Sequence, residues 1–160
     1  MKSGAVMTAN HMADVIRTIN EIAGKRVLIG IPDSSPEDVG GPITNAQIGY
    51  IQETGSPAQN IPARPFLVPG VVEIQAQAAD ILAKGAKGVL DGAQPSIDAA
   101  LTSAGFVAES SVKEKINSNI QPALAESTLA ERRRRGVTRE NTLVDTGQMR
   151  NAVTHVIRKV

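Results

Sequence analysis

The stretch "IAGKRVLIGIP", residues 22–32, decides the fold class because it joins the end of a helix to a short strand. Apolar residues recur at helical spacing before Gly24, which predicts a helix over residues 8–24 with a glycine stop. Residues 26–31 are rich in branched side chains and are closed by a proline, as is typical of a buried strand. A helix followed directly by a strand predicts an α+β domain.

The end of the chain supplies a partner for this strand. Residues 151–160, "NAVTHVIRKV", contain Val, Thr and Ile and are predicted to form a C-terminal strand that pairs with residues 26–31 in a small antiparallel sheet. Aromatic residues make up only 2% of the chain. The core must therefore consist mainly of aliphatic side chains, which favours several helices packed on that sheet.

The segment after the first strand contains a loop and a capped helix. Residues 32–42 gather Pro, Gly, Ser and Asp without periodicity, and we interpret them as an exposed, flexible loop. Thr44 and Gln47 match a capping box, in which each side chain accepts a hydrogen bond from a backbone N–H at a helix start. This pattern predicts a helix over residues 45–54 that ends at Gly55.

The middle of the chain predicts a long helical hairpin. Apolar residues at helical spacing indicate one helix over residues 71–89 and a second over residues 95–116, running antiparallel to the first. Gly85 and Gly88 are expected to weaken the last turns of the first helix. All these elements fit a single domain of residues 1–160.

A proline-rich segment, residues 56–69, precedes the hairpin. Its four prolines each remove a backbone donor and favour extended geometry in the preceding residue. We therefore expect a stiff, extended arm. Phe66 lies within it and has two possible roles, as the anchor of an interface with another subunit or as part of its own subunit's core.

The run Arg132–Arg135 is the strongest local charge feature of a chain whose net charge is only +1. Four guanidinium groups could contact the phosphates of a nucleic acid. The alternative is a solvated helix end, where positive charge complements the helix dipole and Glu126 and Glu131 supply partners. We favour the helix end, since no aromatic residue lies nearby to stack on bases.

The tripeptide Asp145-Thr146-Gly147 also occurs in aspartic proteases. Only 13 residues follow Gly147, too few for the flap and supporting strand of such an enzyme, and the predicted fold is not all-β. We instead expect a structural cap made by Asp145, Thr146, Gly147 and Gln148 at the start of a short helical turn.

No cofactor or metal site is predicted. His11 and His155 are the only imidazoles, and neither has a carboxylate at metal-ligand spacing. The chain contains no cysteine and no apolar run long enough to cross a membrane, so we expect a non-membrane protein without disulfides.

Two segments, residues 48–71 and 123–157, resemble the small neck and tail-completion proteins of tailed bacteriophages, a group that includes minor tail components. The first motif is matched by Ile61, Pro62, Ala63, Arg64, Pro65 and Phe66. The second is matched by Ser127, Thr128, Leu129, Leu143, Asp145, Thr146, Gly147, Gln148, Met149 and Arg150. Met149 stands where that family more often has Leu.

The resemblance implies a non-enzymatic virion subunit that completes the tail or joins head and tail as part of a homo-oligomeric, hexameric ring. Its implied partners are other neck and tail proteins, with DNA passing through the lumen. It would be made in the host bacterial cytoplasm and reside at the head–tail junction or tail end. The interface would contain Ile61, Pro62, Arg64, Pro65, Phe66 and Leu67. A DNA-binding accessory protein acting through Arg132–Arg135 is the alternative, and a protease using Asp145 is less favoured.

Overall fold

The computed structural model describes residues 11–33, 43–93 and 96–160, and within them it contains seven α-helices and a two-stranded antiparallel sheet. In chain order the elements are α1 His11–Ala23, β1 Lys25–Gly30, α2 Asn45–Thr54, α3 Leu67–Glu73, α4 Gln75–Leu90, α5 Asp98–Asn117, α6 Glu126–Arg134, α7 Gln148–Ala152 and β2 Thr154–Lys159. This confirms the α+β class. Most of the expected flexible loop, residues 34–42, lies outside the described residues.

The sheet pairs the two predicted strands. Lys25 lies opposite Lys159, and Gly30 lies opposite Thr154, so β1 and β2 are antiparallel over six residue pairs. β2 begins three residues later than predicted, because the chain up to Ala152 completes α7. One face of the sheet packs on α5, which joins the N-terminal and C-terminal parts of the chain.

The helical hairpin is confirmed, with α5 at its centre. Gly85 of α4 lies against Ala100 of α5, and Gly70 of α3 lies against Val112, so α5 runs opposite to the chain that precedes it. The prediction of a single helix over residues 71–89 was wrong. This stretch contains the end of α3 and most of α4, and the two helices are separated by one non-helical residue, Ile74.

The prediction of an extended arm over residues 56–69 was also wrong. The chain folds back on itself, since Ser56 and Ile61 form an isolated bridge around a 3-10 turn at Pro57–Gln59. The end of the segment is helical, because α3 begins at Leu67. Pro69 lies in the first turn of α3 and removes no hydrogen bond of the helix, because first-turn N–H groups have no partner within the helix.

Glu53, near the end of α2, holds the start of α3. Its carboxylate accepts hydrogen bonds from the backbone N–H groups of Phe66 at 2.7 Å, Leu67 at 2.8 Å and Val68 at 3.1 Å. These are N–H groups that a helix leaves without internal partners, and a carboxylate there is also favoured by the helix dipole. The predicted capping box of Thr44 and Gln47 is present at the start of α2.

The tightly packed core lies on one side of the molecule, where the second half of α5 meets α3, α7 and the segment before α7. It is formed by Phe66, Val112, Ile116, Leu143, Val144, Met149 and Val153. By contrast α4 has no buried residue, and Thr18 is the buried residue of α1 among its described side chains. The half of the molecule built from α1 and α4 is therefore more loosely packed.

Candidate functional site

Arg64 of the first motif binds the stretch of chain that leads into the second motif. Its side chain is buried, with Nε donating to the carbonyl oxygen of Pro122 at 2.8 Å and one terminal nitrogen donating to that of Ala123 at 3.2 Å. These carbonyls lie shortly before α6, which contains Ser127, Thr128 and Leu129 of the second motif. Burial lowers the pKa of the Arg64 guanidinium, and repulsion from Arg132 lowers it further.

Phe66 belongs to the core of its own subunit. Only 1% of the residue is exposed, and it packs in the cluster that also contains Val112 and Met149. This corrects the expectation that Phe66 anchors an interface and Arg64 faces a partner. The physical reason is that a chain with few aromatic residues uses its large buried ring to fill the space between helices. Of the six expected interface residues, Pro62 and Pro65 are exposed, and Ile61 and Leu67 are half-buried.

A groove of about 790 Å³ lies between this segment and the start of α6. Ile61 and Pro62 form part of one wall, and Pro122 and Leu124 form part of the other. Arg64 also lines the groove, but its guanidinium is already bound to main-chain carbonyl groups. The lining is mostly proline, alanine and amide side chains.

Arg132 serves the same structural purpose in the second motif. Its side chain is only 6% exposed. One terminal nitrogen donates to the carbonyl oxygens of Arg139 at 3.1 Å, Asn141 at 2.7 Å and Val144 at 3.3 Å. Burial lowers the pKa of the Arg132 guanidinium, while the nearby Asp145 carboxylate counters part of this effect. Arg132 is therefore not available to a phosphate.

The other three arginines of the run are exposed, and each has a carboxylate partner. Arg133 contacts Glu126 at 2.8 Å, Arg134 contacts Glu131 at 2.8 Å, and Arg135 contacts Asp145 at 2.8 Å. The hydrogen bonds that these guanidinium groups donate to the carboxylates raise the pKa of all three arginines. The arrangement matches the interpretation of a solvated helix end whose charge is balanced locally.

The predicted cap at Asp145 was wrong. The residue at the N-cap of α7 is Gly147, with a φ angle of 90°, and no side chain caps the helix from that position. A left-handed conformation of this kind favours glycine. The hydroxyl of Thr146 does accept a hydrogen bond from the backbone N–H of Gln148 at 3.3 Å. Asp145 instead forms the ion pair with Arg135.

A small polar hollow of about 190 Å³ lies beside this turn, between α2 and α7. Its lining includes Gln52, Arg132, Asp145 and Gln148. Among the residues that the structure describes, no group of three or more His, Asp or Glu side chains could hold a metal ion.

His155 and Glu109 form a hydrogen-bonded pair that the sequence did not indicate. Nδ1 of His155 lies 2.9 Å from the Glu109 carboxylate, and both side chains are largely buried. Burial raises the pKa of Glu109, but hydrogen bonds from Lys113 and His155 outweigh it and the net shift is downward. The pair fastens β2 to α5. Because 46 residues separate its members, local spacing contained no signal for it.

Comparison with protein-family models, with curated proteins and with solved structures finds no match to this chain. The resemblance to phage neck and tail-completion proteins therefore stays a prediction from sequence motifs. Across residues 11–33, 43–93 and 96–160, no helix combines the length and apolar character that crossing a membrane requires.

Proposed function

We propose that this chain is a non-enzymatic structural subunit of a tailed-phage virion, which completes the tail or joins head and tail as part of a homo-oligomeric ring. It is made in the host bacterial cytoplasm and assembles with other neck and tail proteins. The sequence resemblance supplies the biological setting. The proposal that its role is structural draws its support from the way the motif side chains are used.

The observation that carries the proposal is that the charged side chains of both motifs act within the fold. Arg64 and Arg132 are buried against main-chain carbonyl groups, and Asp145 is paired with Arg135. Arg64 joins segments that are 58 and 59 residues apart, and Arg132 joins segments that are 7 to 12 residues apart, as suits a subunit whose motif side chains hold its shape.

The groove beside Ile61 and Pro62 is the surface on which we place a neighbouring neck or tail protein. Its rigid walls, which include Pro57 and Pro122, lose little conformational entropy when a partner is bound. Of the expected interface residues, Ile61, Pro62 and Arg64 line this groove, while Pro65, Phe66 and Leu67 do not. The DNA-binding alternative is weakened, because every guanidinium of Arg132–Arg135 already has an acceptor in its own chain.

Electron microscopy of lysates tests the proposal. The gene is disrupted in the parental phage, and filled heads, free tails and joined particles are counted. We expect heads and tails to accumulate separately, or tails to have abnormal length, with normal particles restored when the gene is supplied in trans. Normal, infectious particles from the disrupted phage would rule out the virion role.

A further inference from the structure

The outer face of the sheet carries two arginine side chains directly opposite each other. The antiparallel register places Arg26 of β1 against Arg158 of β2, and both residues are exposed. Side chains in such positions have Cβ atoms about 4.5–5.5 Å apart, and like charges at this separation destabilise a sheet. The pair therefore lowers the stability of the free protein, and the packing of the fold gives no reason for it.

Neither guanidinium is neutralised by the part of the chain that the structure describes. Arg26 and Arg158 form no ion pair and no hydrogen bond with those residues. Every other arginine has a carboxylate, carbonyl or amide partner in its own chain. Lys25 and Lys159, the next pair of the register, project toward the opposite face, and Lys25 is paired with Asp98. The outer face thus holds uncompensated positive charge.

An exposed apolar pair adjoins the two arginines. Leu28 is 40% exposed and Val156 is 43% exposed, and the register again places them directly opposite each other. Each lies two residues from an arginine along its own strand, so all four side chains share one face of the sheet. A row of positive charge and a row of apolar surface therefore lie about 7 Å apart.

We infer that this arginine face, formed by Arg26, Leu28, Val156 and Arg158, binds an extended acidic segment of another protein. Carboxylates of the segment accept hydrogen bonds from the guanidinium groups, whose planar donors match a carboxylate. An apolar side chain two residues further along the segment covers Leu28 and Val156. Same-face side chains of an extended chain repeat every two residues, as the two rows of the sheet do.

The apolar row and the distribution of charge argue against two other occupants. A nucleic acid would place phosphates against Leu28 and Val156, which offer them no donor. A second copy offers no matching acidic surface among the residues that the structure describes. Its carboxylates without an ion pair or hydrogen bond there, Glu21, Asp80 and Glu114, lie on three separate helices. An acidic segment of a different protein is the occupant that complements both rows.

A nuclear magnetic resonance titration of the full-length, isotope-labelled chain tests the inference. The probe is a synthetic peptide with blocked ends, Glu-Thr-Val-Thr-Glu-Thr-Val-Thr. The control peptide, Glu-Val-Thr-Thr-Glu-Val-Thr-Thr, has the same composition but places Glu and Val on opposite faces of an extended chain. We expect saturable shift changes at the amides of β1 and β2, and binding of the control peptide at least about threefold weaker.

Arg158→Glu separates a binding surface from residues that only support the fold. It places opposite charges across the strands, so it should raise the melting temperature of the free protein. It should also weaken binding of the first peptide at least about tenfold, because a carboxylate then faces the acidic segment. Lys84→Glu makes the same change in net charge at an exposed side chain of α4. It should leave binding within about twofold, since salt screens exposed charges outside the contact.

Three results would overturn the inference. They are the absence of shift changes in the sheet, equal binding of the two peptides, and equal weakening by Arg158→Glu and Lys84→Glu. A short DNA duplex that binds the same face more tightly than the peptide at physiological salt would likewise reject an acidic protein as the partner. The inference goes beyond the proposed function and stands or falls separately, because the arginine face shares no residue with the groove beside Ile61 and Pro62.

Discussion

Arg132 and Arg64 bind main-chain carbonyl groups in the interior, a role for which a guanidinium is better suited than an ammonium. The guanidinium offers five N–H donors in a fixed plane and stays charged when it is buried. Each arginine thus joins segments that have no regular secondary structure of their own. Arg132 holds the chain between α6 and α7, and Arg64 holds the chain between α5 and α6.

Replacing Arg132 by alanine should lower the free energy of unfolding by about 3 kcal/mol, because it leaves buried carbonyl oxygens without donors. Urea denaturation at neutral pH measures the change. Arg134→Ala is the control, since its side chain is 77% exposed and contacts only Glu131. If both variants unfold at the wild-type urea concentration, the buried hydrogen bonds of Arg132 do not stabilise the fold.

At the scale of secondary structure, the contact between α4 and α5 depends on a residue without a side chain. A Cβ atom at Gly85 would lie 2.2 Å from Cβ of Ala100, so the two helices approach more closely than alanine at both positions allows. The sequence suggested that Gly85 weakens the end of the helix. In the fold α4 continues to Leu90. Glycine has a lower helix propensity than alanine, but at position 85 it allows α4 to approach α5 closely.

Gly85→Ala is accordingly expected to destabilise the protein by roughly 1–3 kcal/mol, despite the better helix propensity of alanine, because the added methyl group overpacks the contact. Thermal or urea unfolding tests this. Adding Ala100→Gly removes the opposing methyl group, so the double variant should be more stable than the two single effects predict. Additive effects would show that the close approach is not what places glycine at this position.

At the scale of the whole molecule, packing is uneven. The second half of α5 lies in a continuous aliphatic core with Phe66, whereas α1 and α4 enclose an apolar groove of about 390 Å³ with β1. Small side chains such as Ala78 and Ala104 line this groove and do not fill it. The loosely packed half also carries the exposed apolar side chains of α1, Met12, Ile16 and Ile19.

Native-state hydrogen exchange should reveal this difference. Amides in the second half of α5 are expected to exchange only through global unfolding, while those of α1 and α4 exchange through local opening with lower free energies. Mass spectrometry of peptides from α1, α4 and α5 at several denaturant concentrations distinguishes local opening from global unfolding. Equal protection of α1, α4 and α5 would mean that the whole chain opens as one cooperative unit.

The sequence by itself determined the features that depend on neighbouring residues. The helix stop at Gly24, the capping box of Thr44 and Gln47, and the apolar periodicity of α4 and α5 are local patterns, and each structure formed where its pattern lies. The pairing of the first and last strands also followed, because few other segments had strand character. These patterns act over one or two turns of chain.

Only the tertiary structure decided what the motif side chains contact. Arg64 reaches carbonyl groups 58 and 59 residues away, Glu53 caps a helix 13 to 15 residues away, and Asp145 pairs with Arg135 instead of capping α7. The prolines of residues 56–69 favour an extended chain. The end of this segment is nevertheless helical, because the Glu53 carboxylate accepts hydrogen bonds from the backbone N–H groups of Phe66, Leu67 and Val68. Burial and hydrogen bonding depend on which segments return to the same place, and that information is not contained in local spacing.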